Sequence, residues 1–213
     1  MSIIDALAED LRQQVFSGDI PANALLPEAE VAGRYEVSRP TAKAAIEKLV
    51  AEGLLRRTAH KTAHVPELGI DDIRDLYDSR MCVEREVLRK LAVRRYVPPA
   101  AIEAQAEIVA HGDTPTLAIV APDVRFHLSL VDATGSPRMT RLYGSLMGEM
   151  RLCMAQVQSR RLLQPSVIAE EHQAILDRIT EGDPDGVAEA VTLHLTHASD
   201  TLAGFLDLPA ADA

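Results

Sequence analysis

Four residues in the second half of the chain have the types and the spacing of a metal site. Asp123 and His127 are four residues apart, so on a helix they share one face. His172 and His194 each lie in a stripe of aliphatic residues, about ten residues before and about eleven after a predicted turn at Gly182–Asp183. In an antiparallel helical hairpin the two imidazoles reach the same level. Each inward polar group needs a buried partner, and one divalent metal ion would satisfy all four. Three nitrogens and one oxygen suit Zn²⁺ best, and Ni²⁺, Mn²⁺ or Fe²⁺ are also compatible.

Two other interpretations of these histidines stay open. A single inward histidine is most often a core residue that a neighbouring polar group satisfies, and His197, one turn from His194, is the main rival for its role. A metal held by three histidines and one aspartate could also activate water in a hydrolase, although Glu84 is the only inward candidate for a general base. The remaining histidines are expected at the surface: His60, His64 and His111.

Arg80 is a second unusual polar residue, because it falls on the apolar stripe of a predicted helix over residues 71–95. An inward arginine needs a partner, since an unpaired buried charge is very costly. Glu84, one turn further on, could supply an internal ion pair. The alternative is that Arg80 binds the carboxylate of a ligand, which a guanidinium group matches with two parallel hydrogen bonds.

The stretch at residues 37–55 predicts a short helix with a cationic leading end. Ser38 is a good N-cap, and Gly53 favours a left-handed end to the helix. One face is apolar, and the opposite face carries Arg39 and Lys43 one turn apart. Such a helix suits the DNA major groove. The expected DNA contacts are Arg39 and Lys43, with Ser38 and Thr41 from the same first turn; the alternative is a solvated charged face.

The distribution of charge favours a local DNA-binding surface on an acidic protein. The net charge is −10, yet residues 34–61 carry seven Lys or Arg against three Asp or Glu. A basic patch of this kind can bind DNA while the remaining charge limits non-specific binding. No run of 18 apolar residues and no signal peptide is apparent, so we expect a cytoplasmic protein without a membrane span. Cys82 and Cys153 are expected to be reduced core residues.

The predicted fold is mainly α-helical, with two domains. Helices over 2–17 and 27–35 precede the cationic helix, and a β-hairpin around His60–Lys61 follows it. The stretch PELGI at 66–70 separates a winged helix-turn-helix domain, residues 1–67, from an antiparallel all-α bundle, residues 70–208. Breaks at proline and glycine divide the bundle into six helices: 71–95, 99–110, 115–133, 137–160, 166–180 and 184–206.

The first domain resembles the winged helix-turn-helix of the GntR family of bacterial transcription regulators. The matching residues are Leu26–Pro27, Glu30, Val37–Ser38–Arg39, Ala45, Leu49 and Glu52–Gly53–Leu54. Lys43 stands where the family commonly has arginine. The resemblance implies that Arg39 and Lys43 contact DNA.

The second domain resembles the FCD ligand-binding domain of the FadR-type branch of that family, in its six-helix, VanR-type variant. Its metal motif matches Asp123 and His127 within DVRFH, His172 within EEHQAIL and His194 within AVTLHL, and Arg80 matches a helix position that commonly meets the effector. The resemblance implies a homodimer on a palindromic double-stranded operator, released or reshaped by a small organic-acid effector. A metal with a purely structural role remains an alternative.

Overall fold

The computed structural model describes residues 2–58, 61–113, 117–156 and 164–206 of the 213-residue chain. It divides into two compact units: Met1–Leu68 with Gly148–Gln156, and Gly69–Met147 with Val157–Ala213. The nine residues at the end of one long helix thus group with the N-terminal residues. The domain limits expected from the sequence, 1–67 and 70–208, remain a proposal.

The described part of the first unit contains three helices, a two-stranded sheet and the helical residues Gly148–Gln156. The helices are α1 (Ile3–Ser17), α2 (Glu28–Arg34) and α3 (Arg39–Ala51), and the strands are β1 (Leu25–Leu26) and β2 (Ala63–His64). Ser2 begins α1 with a reciprocal capping box to Asp5. A left-handed Gly18 ends the helix. α1 lies within the predicted range 2–17, and α2 lies within the predicted range 27–35.

The cationic helix α3 begins and ends as its sequence predicts. Ser38 Oγ accepts a hydrogen bond from the Thr41 backbone N–H, and Gly53 has a φ of 78° just beyond the helix. Its inner face is fully buried and consists of Ala42, Ala45, Ile46 and Leu49. This apolar face fixes the helix, so that the Arg39 side is left at the surface.

The sheet contains a strand that was not part of the expected hairpin. β2 pairs antiparallel with β1, which precedes α2. Within the described part of the predicted wing, one antiparallel bridge joins Arg56 to His64. The expected hairpin tip at His60 lies outside the described residues. Leu25–Leu26 is too short to show a strand pattern in the sequence, and its pairing with residues 63–64 is a long-range contact that local propensity does not predict.

Six α-helices contribute to the described part of the second unit, and the last residues of one of them, Gly148–Gln156 of α7, group with the first unit. They are α4 (Ile70–Arg94), α5 (Pro99–Ala110), α6 (Val120–Asp132), α7 (Pro137–Gln156), α8 (Pro165–Glu181) and α9 (Pro184–Leu206). A 3₁₀ segment, Leu117–Ile119, precedes α6, so this α-helix begins later than the predicted residue 115. Pro122 falls in the first turn of α6, where its missing N–H would be unpaired in any case.

The helices of the second unit pack with short connections. α4 lies along α9, α5 contacts α6 and α8, and α8 and α9 form a hairpin. A left-handed Gly182 makes the turn of that hairpin, and Asp183 accepts a hydrogen bond from the Gly186 N–H. Cys153 is buried as expected, whereas Cys82 is exposed on α4, contrary to the expectation. Among the described residues, no helix has the length and apolar character required to cross a membrane.

Candidate functional site

Three helices bring the four predicted metal ligands together inside the second unit. Asp123 and His127 lie on α6, His172 on α8 and His194 on α9. One donor atom of each lies within 4.8 Å of the others. The three imidazoles are almost completely buried, with exposed fractions of 3% or less, and Asp123 is partly buried. The one-turn spacing on α6 and the tight α8–α9 turn therefore produce the convergence that the sequence predicts.

Two carboxylates orient two of these imidazoles. Glu84 Oε2 lies 2.6 Å from His127 Nδ1, and Glu171 Oε2 lies 2.8 Å from His194 Nδ1. An ionised carboxylate only accepts hydrogen bonds, so each Nδ1 carries the proton and each Nε2 of a neutral ring has a free lone pair. The two Nε2 atoms face each other at 3.2 Å. Burial lowers the pKa of His127, although Glu84 acts in the opposite direction, so two lone pairs converge where a cation would be stabilised.

His172 has the most unusual environment of the four. Its ring stacks on Phe126 with a centroid distance of 3.8 Å, and its Nε2 lies 3.5 Å from Asp123 Oδ1. Neither ring nitrogen has a hydrogen-bond partner among the described residues. Burial, together with His194 and His127, holds the pKa of His172 well below its usual value, so the ring is neutral.

These observations fit a bound divalent metal. Buried polar atoms in proteins nearly always have a partner, and the nitrogens of His172 lack one. Neutral imidazoles and a carboxylate are donors that Zn²⁺ and related ions accept. A histidine ligand typically donates its other ring N–H to a carboxylate, as His127 and His194 do here.

A buried polar cluster adjoins the four donors through Glu84. Its Oε1 accepts hydrogen bonds from Arg80 Nε at 3.0 Å and from the Tyr143 hydroxyl. Arg80 is 1% exposed and also lies over the ring of Tyr77 at 4.9 Å. The internal Arg80–Glu84 pair is thus present. The buried Nη2 of Arg80 nevertheless has no hydrogen-bond partner among the described residues, which leaves one donor for a ligand.

Glu171, Tyr143 and Phe126 are parts of this site that the sequence analysis missed. Glu171 adjoins His172 in the sequence and accepts hydrogen bonds from both His194 and His197. Because His194 and His197 are one turn apart on α9, one carboxylate can reach both. His197 is half exposed and lies outside the donor cluster, so it does not replace His194.

At the surface of the first unit, Arg39 and Lys43 are exposed one turn apart on α3. The hydroxyls of Ser38 and Thr41 bond to each other at 2.8 Å, and Ser38 also caps the helix. The two hydroxyl groups that were expected to contact DNA therefore lie at the start of α3, beside the two cationic side chains.

Three of the seven basic residues in the 34–61 stretch form ion pairs with other described residues of the unit. Lys48 pairs with Asp5, Arg56 with Glu149, and Arg57 with both Glu28 and Glu47. The other four are exposed: Arg34, Arg39, Lys43 and Lys61. The cationic surface is therefore narrower than the sequence count indicates.

Comparison with known proteins links each unit to a described family. Residues 3–65 match the model of bacterial regulatory proteins of the gntR family, and residues 75–197 match the FCD domain. A probable D-xylose utilization operon transcriptional repressor of Paenarthrobacter nicotinovorans is 28% identical over 187 residues, covering 85% of this chain and 80% of the relative.

Two solved structures show the same fold. The McbR/YncC protein of Escherichia coli has a TM-score of 0.73 at 18% identity and covers 97% of this chain and 100% of its own. A structure described as a metal-free FCD domain has a TM-score of 0.56 at 22% identity and covers 66% of this chain and 97% of its own. The matching families and relatives regulate transcription and are not enzymes, which contradicts the hydrolase alternative.

Proposed function

This chain belongs to the GntR family of bacterial regulatory proteins and carries an FCD domain, so it is a DNA-binding transcription regulator; from that premise we propose that its second unit binds a divalent metal ion and a small organic acid. The observation that carries the proposal is the convergence of Asp123 with three buried imidazoles. Zn²⁺ suits the donor set best, and Ni²⁺, Mn²⁺ and Fe²⁺ are also compatible.

The proposed ligands are Asp123, His127, His172 and His194. A bound ion would supply a positive, Lewis-acidic point for a carboxylate oxygen of the effector. The chain prepares the imidazoles for this role because burial lowers the pKa of His127 and of His172. Carboxylates at Nδ1 also direct Nε2 of His127 and His194 inward. Because the donors come from α6, α8 and α9, occupation of the site ties three helices together.

Arg80 is the proposed effector-binding residue. Its Nη2 is buried and lacks a partner among the described residues, while Glu84 fixes the guanidinium through Nε. A carboxylate would satisfy the remaining donor with a charge-assisted hydrogen bond. Arg80 lies on α4, so an acid bound to both the metal and Arg80 would connect α4 with the other three helices. An effector of this kind changes DNA binding only through a different affinity for two arrangements of the protein.

We also propose that a homodimer binds a palindromic operator through α3. Arg39 and Lys43 are exposed at the N-terminal end of that helix, the part that contacts base edges when such a helix enters the major groove. Two-fold symmetry of the operator would follow from two-fold symmetry of the dimer. The repressor relative favours repression that the effector relieves.

Elemental analysis of protein purified without chelator tests the metal. We expect about one divalent ion per chain in the wild type, and loss of that ion in the His172→Ala/His194→Ala double variant, because an incomplete ligand shell binds weakly. His111→Ala is a suitable control, since His111 is exposed and outside the cluster. Stoichiometric metal in the double variant would place the site elsewhere.

A thermal-shift screen of small carboxylic acids on the metal-loaded protein tests the effector. A ligand that binds the folded state raises Tm by mass action. The same acids should give no shift after chelation of the metal. If they bind equally well to metal-free protein, the metal has a purely structural role.

A further inference from the structure

Glu171 lies beside the four donors but is not one of them, and both of its carboxylate oxygens are occupied. Oε2 accepts from His194 Nδ1 at 2.8 Å, and Oε1 accepts from His197 Nδ1 at 2.7 Å. The two histidines are one turn apart on α9, whereas Glu171 reaches them from α8. The Glu171 side chain is 18% exposed and that of His197 is 52% exposed, so this hydrogen-bonded chain runs from the core to the surface.

The contact to Glu171 determines which nitrogen His194 presents to the interior. A neutral imidazole has one protonated and one unprotonated nitrogen, and the hydrogen bond at one nitrogen fixes the state of the other. With Nδ1–H donated to Glu171, Nε2 is unprotonated and faces His127 Nε2 at 3.2 Å. Without the carboxylate, His194 could protonate Nε2 or rotate its ring, and either change removes a metal donor.

The three imidazoles are supported unequally. His127 has Glu84, which is itself fixed by Arg80 and Tyr143 in the core. His172 has no hydrogen-bond partner among the described residues and is held by stacking on Phe126. His194 depends on Glu171. Among the described residues, the second oxygen of Glu171 accepts a side-chain hydrogen bond only from His197, which is half exposed.

We propose that Glu171 is the positioning residue for the metal ligand His194, and that His197 holds Glu171 in place from the solvent side. This inference rests on the proposed metal site. Glu171 acts through His194 and does not contact the ion, so its loss should weaken metal binding without abolishing it. Removal of such an outer carboxylate typically costs 10–100-fold in metal affinity.

The test measures metal affinity by competition with a chromogenic chelator in wild type, Glu171→Ala and His197→Ala. We expect affinity to fall roughly 10–100-fold in Glu171→Ala and by a smaller factor in His197→Ala. Glu170→Ala is the matched control, because Glu170 is the preceding glutamate and is exposed; it should bind metal like the wild type. The absorption spectrum of Co²⁺-loaded protein should change in Glu171→Ala, while the Tm of its metal-free form should stay within a few degrees of the wild type.

A double variant distinguishes an indirect role of His197 from a direct one. If His197 acts only through Glu171, then His197→Ala should have no further effect in the Glu171→Ala background, since coupled residues are not additive. Additive losses would overturn the role of His197. Wild-type affinity and an unchanged Co²⁺ spectrum in Glu171→Ala would overturn the role of Glu171 alone, whereas a wild-type protein that binds no divalent metal would overturn the proposed site as well.

Discussion

Replacement of His172 by leucine should change the stability of the metal-free and metal-loaded proteins in opposite directions. The imidazole is fully buried and both nitrogens lack partners among the described residues. A buried unsatisfied polar group costs about 1–3 kcal/mol, which leucine would remove. Leucine would also lose the ring stack on Phe126, worth about 0.5–1.5 kcal/mol. The net gain in the free energy of unfolding of the metal-free protein is therefore about 1 kcal/mol, or a rise in Tm of about 2–4 °C.

The metal reverses this order. At a free metal concentration of about 100 times Kd, binding stabilises the wild type by about 2.7 kcal/mol. The leucine variant lacks one donor and loses most of this term, but it keeps its gain of about 1 kcal/mol, so it should be about 1.5 kcal/mol less stable than the loaded wild type. Paired thermal or urea unfolding curves, with chelator and with Zn²⁺, measure both differences on the same two proteins.

The result that would refute this reasoning is a metal-free variant that melts several degrees below the metal-free wild type. The nitrogens of His172 would then be satisfied in the absence of metal, and their missing partners would no longer support a cation. A variant that gains as much stability from Zn²⁺ as the wild type would show that His172 is not a ligand.

Three further predictions concern the buried ion pair and DNA binding. Arg80→Met should lower the free energy of unfolding by about 3 kcal/mol, the lower end of the range for breaking a buried ion pair, because Glu84 keeps two other hydrogen-bond donors. Circular dichroism during urea unfolding measures this difference, and a change below about 1 kcal/mol would contradict a stabilising Arg80–Glu84 pair. Burial opposes ionisation of Glu84, but His127 and Arg80 hold its pKa below the usual range. The stability that ionised Glu84 contributes is therefore complete above about pH 4.3 and is lost as the pH falls from there through the lower pKa of the folded state. A Glu84→Gln variant should show a flatter dependence of the free energy of unfolding on pH in acid. Arg39→Ala should cost roughly 1–3 kcal/mol in operator affinity and relax the preference at one base pair, as measured by fluorescence anisotropy against operator and scrambled duplexes.

Sequence periodicity predicted much of the fold and the four candidate donors, because both depend on local regularities. The i, i+4 spacing of Asp123 and His127 is a property of one helix, and the level of His172 and His194 follows from one tight turn. The start of α6 was less predictable. Pro122 is compatible with the first turn, and the 3₁₀ segment before it has no distinctive sequence pattern.

The hydrogen bonds around the donors could not be predicted in the same way. Glu171 lies about 100° around the helix axis from buried His172. Judged from α8 alone, its side chain would therefore be expected to face solvent. Its contact with His194 and His197 exists because α9 lies against α8. Arg80 presented the reverse case, since its partner Glu84 was visible at i+4, but the links from Glu84 to His127 and Tyr143 join three different helices. The β1–β2 pairing was missed for the same reason.

The ion pairs of Lys48, Arg56 and Arg57 bear on how the regulator finds its operator. Each phosphate contact releases about 0.9 counterion. The four basic residues of the 34–61 stretch outside these ion pairs would give the proposed dimer about eight such contacts. The net charge of the chain is −10, because acidic residues outnumber basic ones outside the 34–61 stretch. This negative charge repels the DNA backbone. The residence time on non-specific DNA should therefore be short. The protein would then search for its operator by repeated dissociation and rebinding rather than by long sliding. Its residence time at the operator would then depend on the few base contacts proposed for α3, and a rise in ionic strength would empty random sites before the operator.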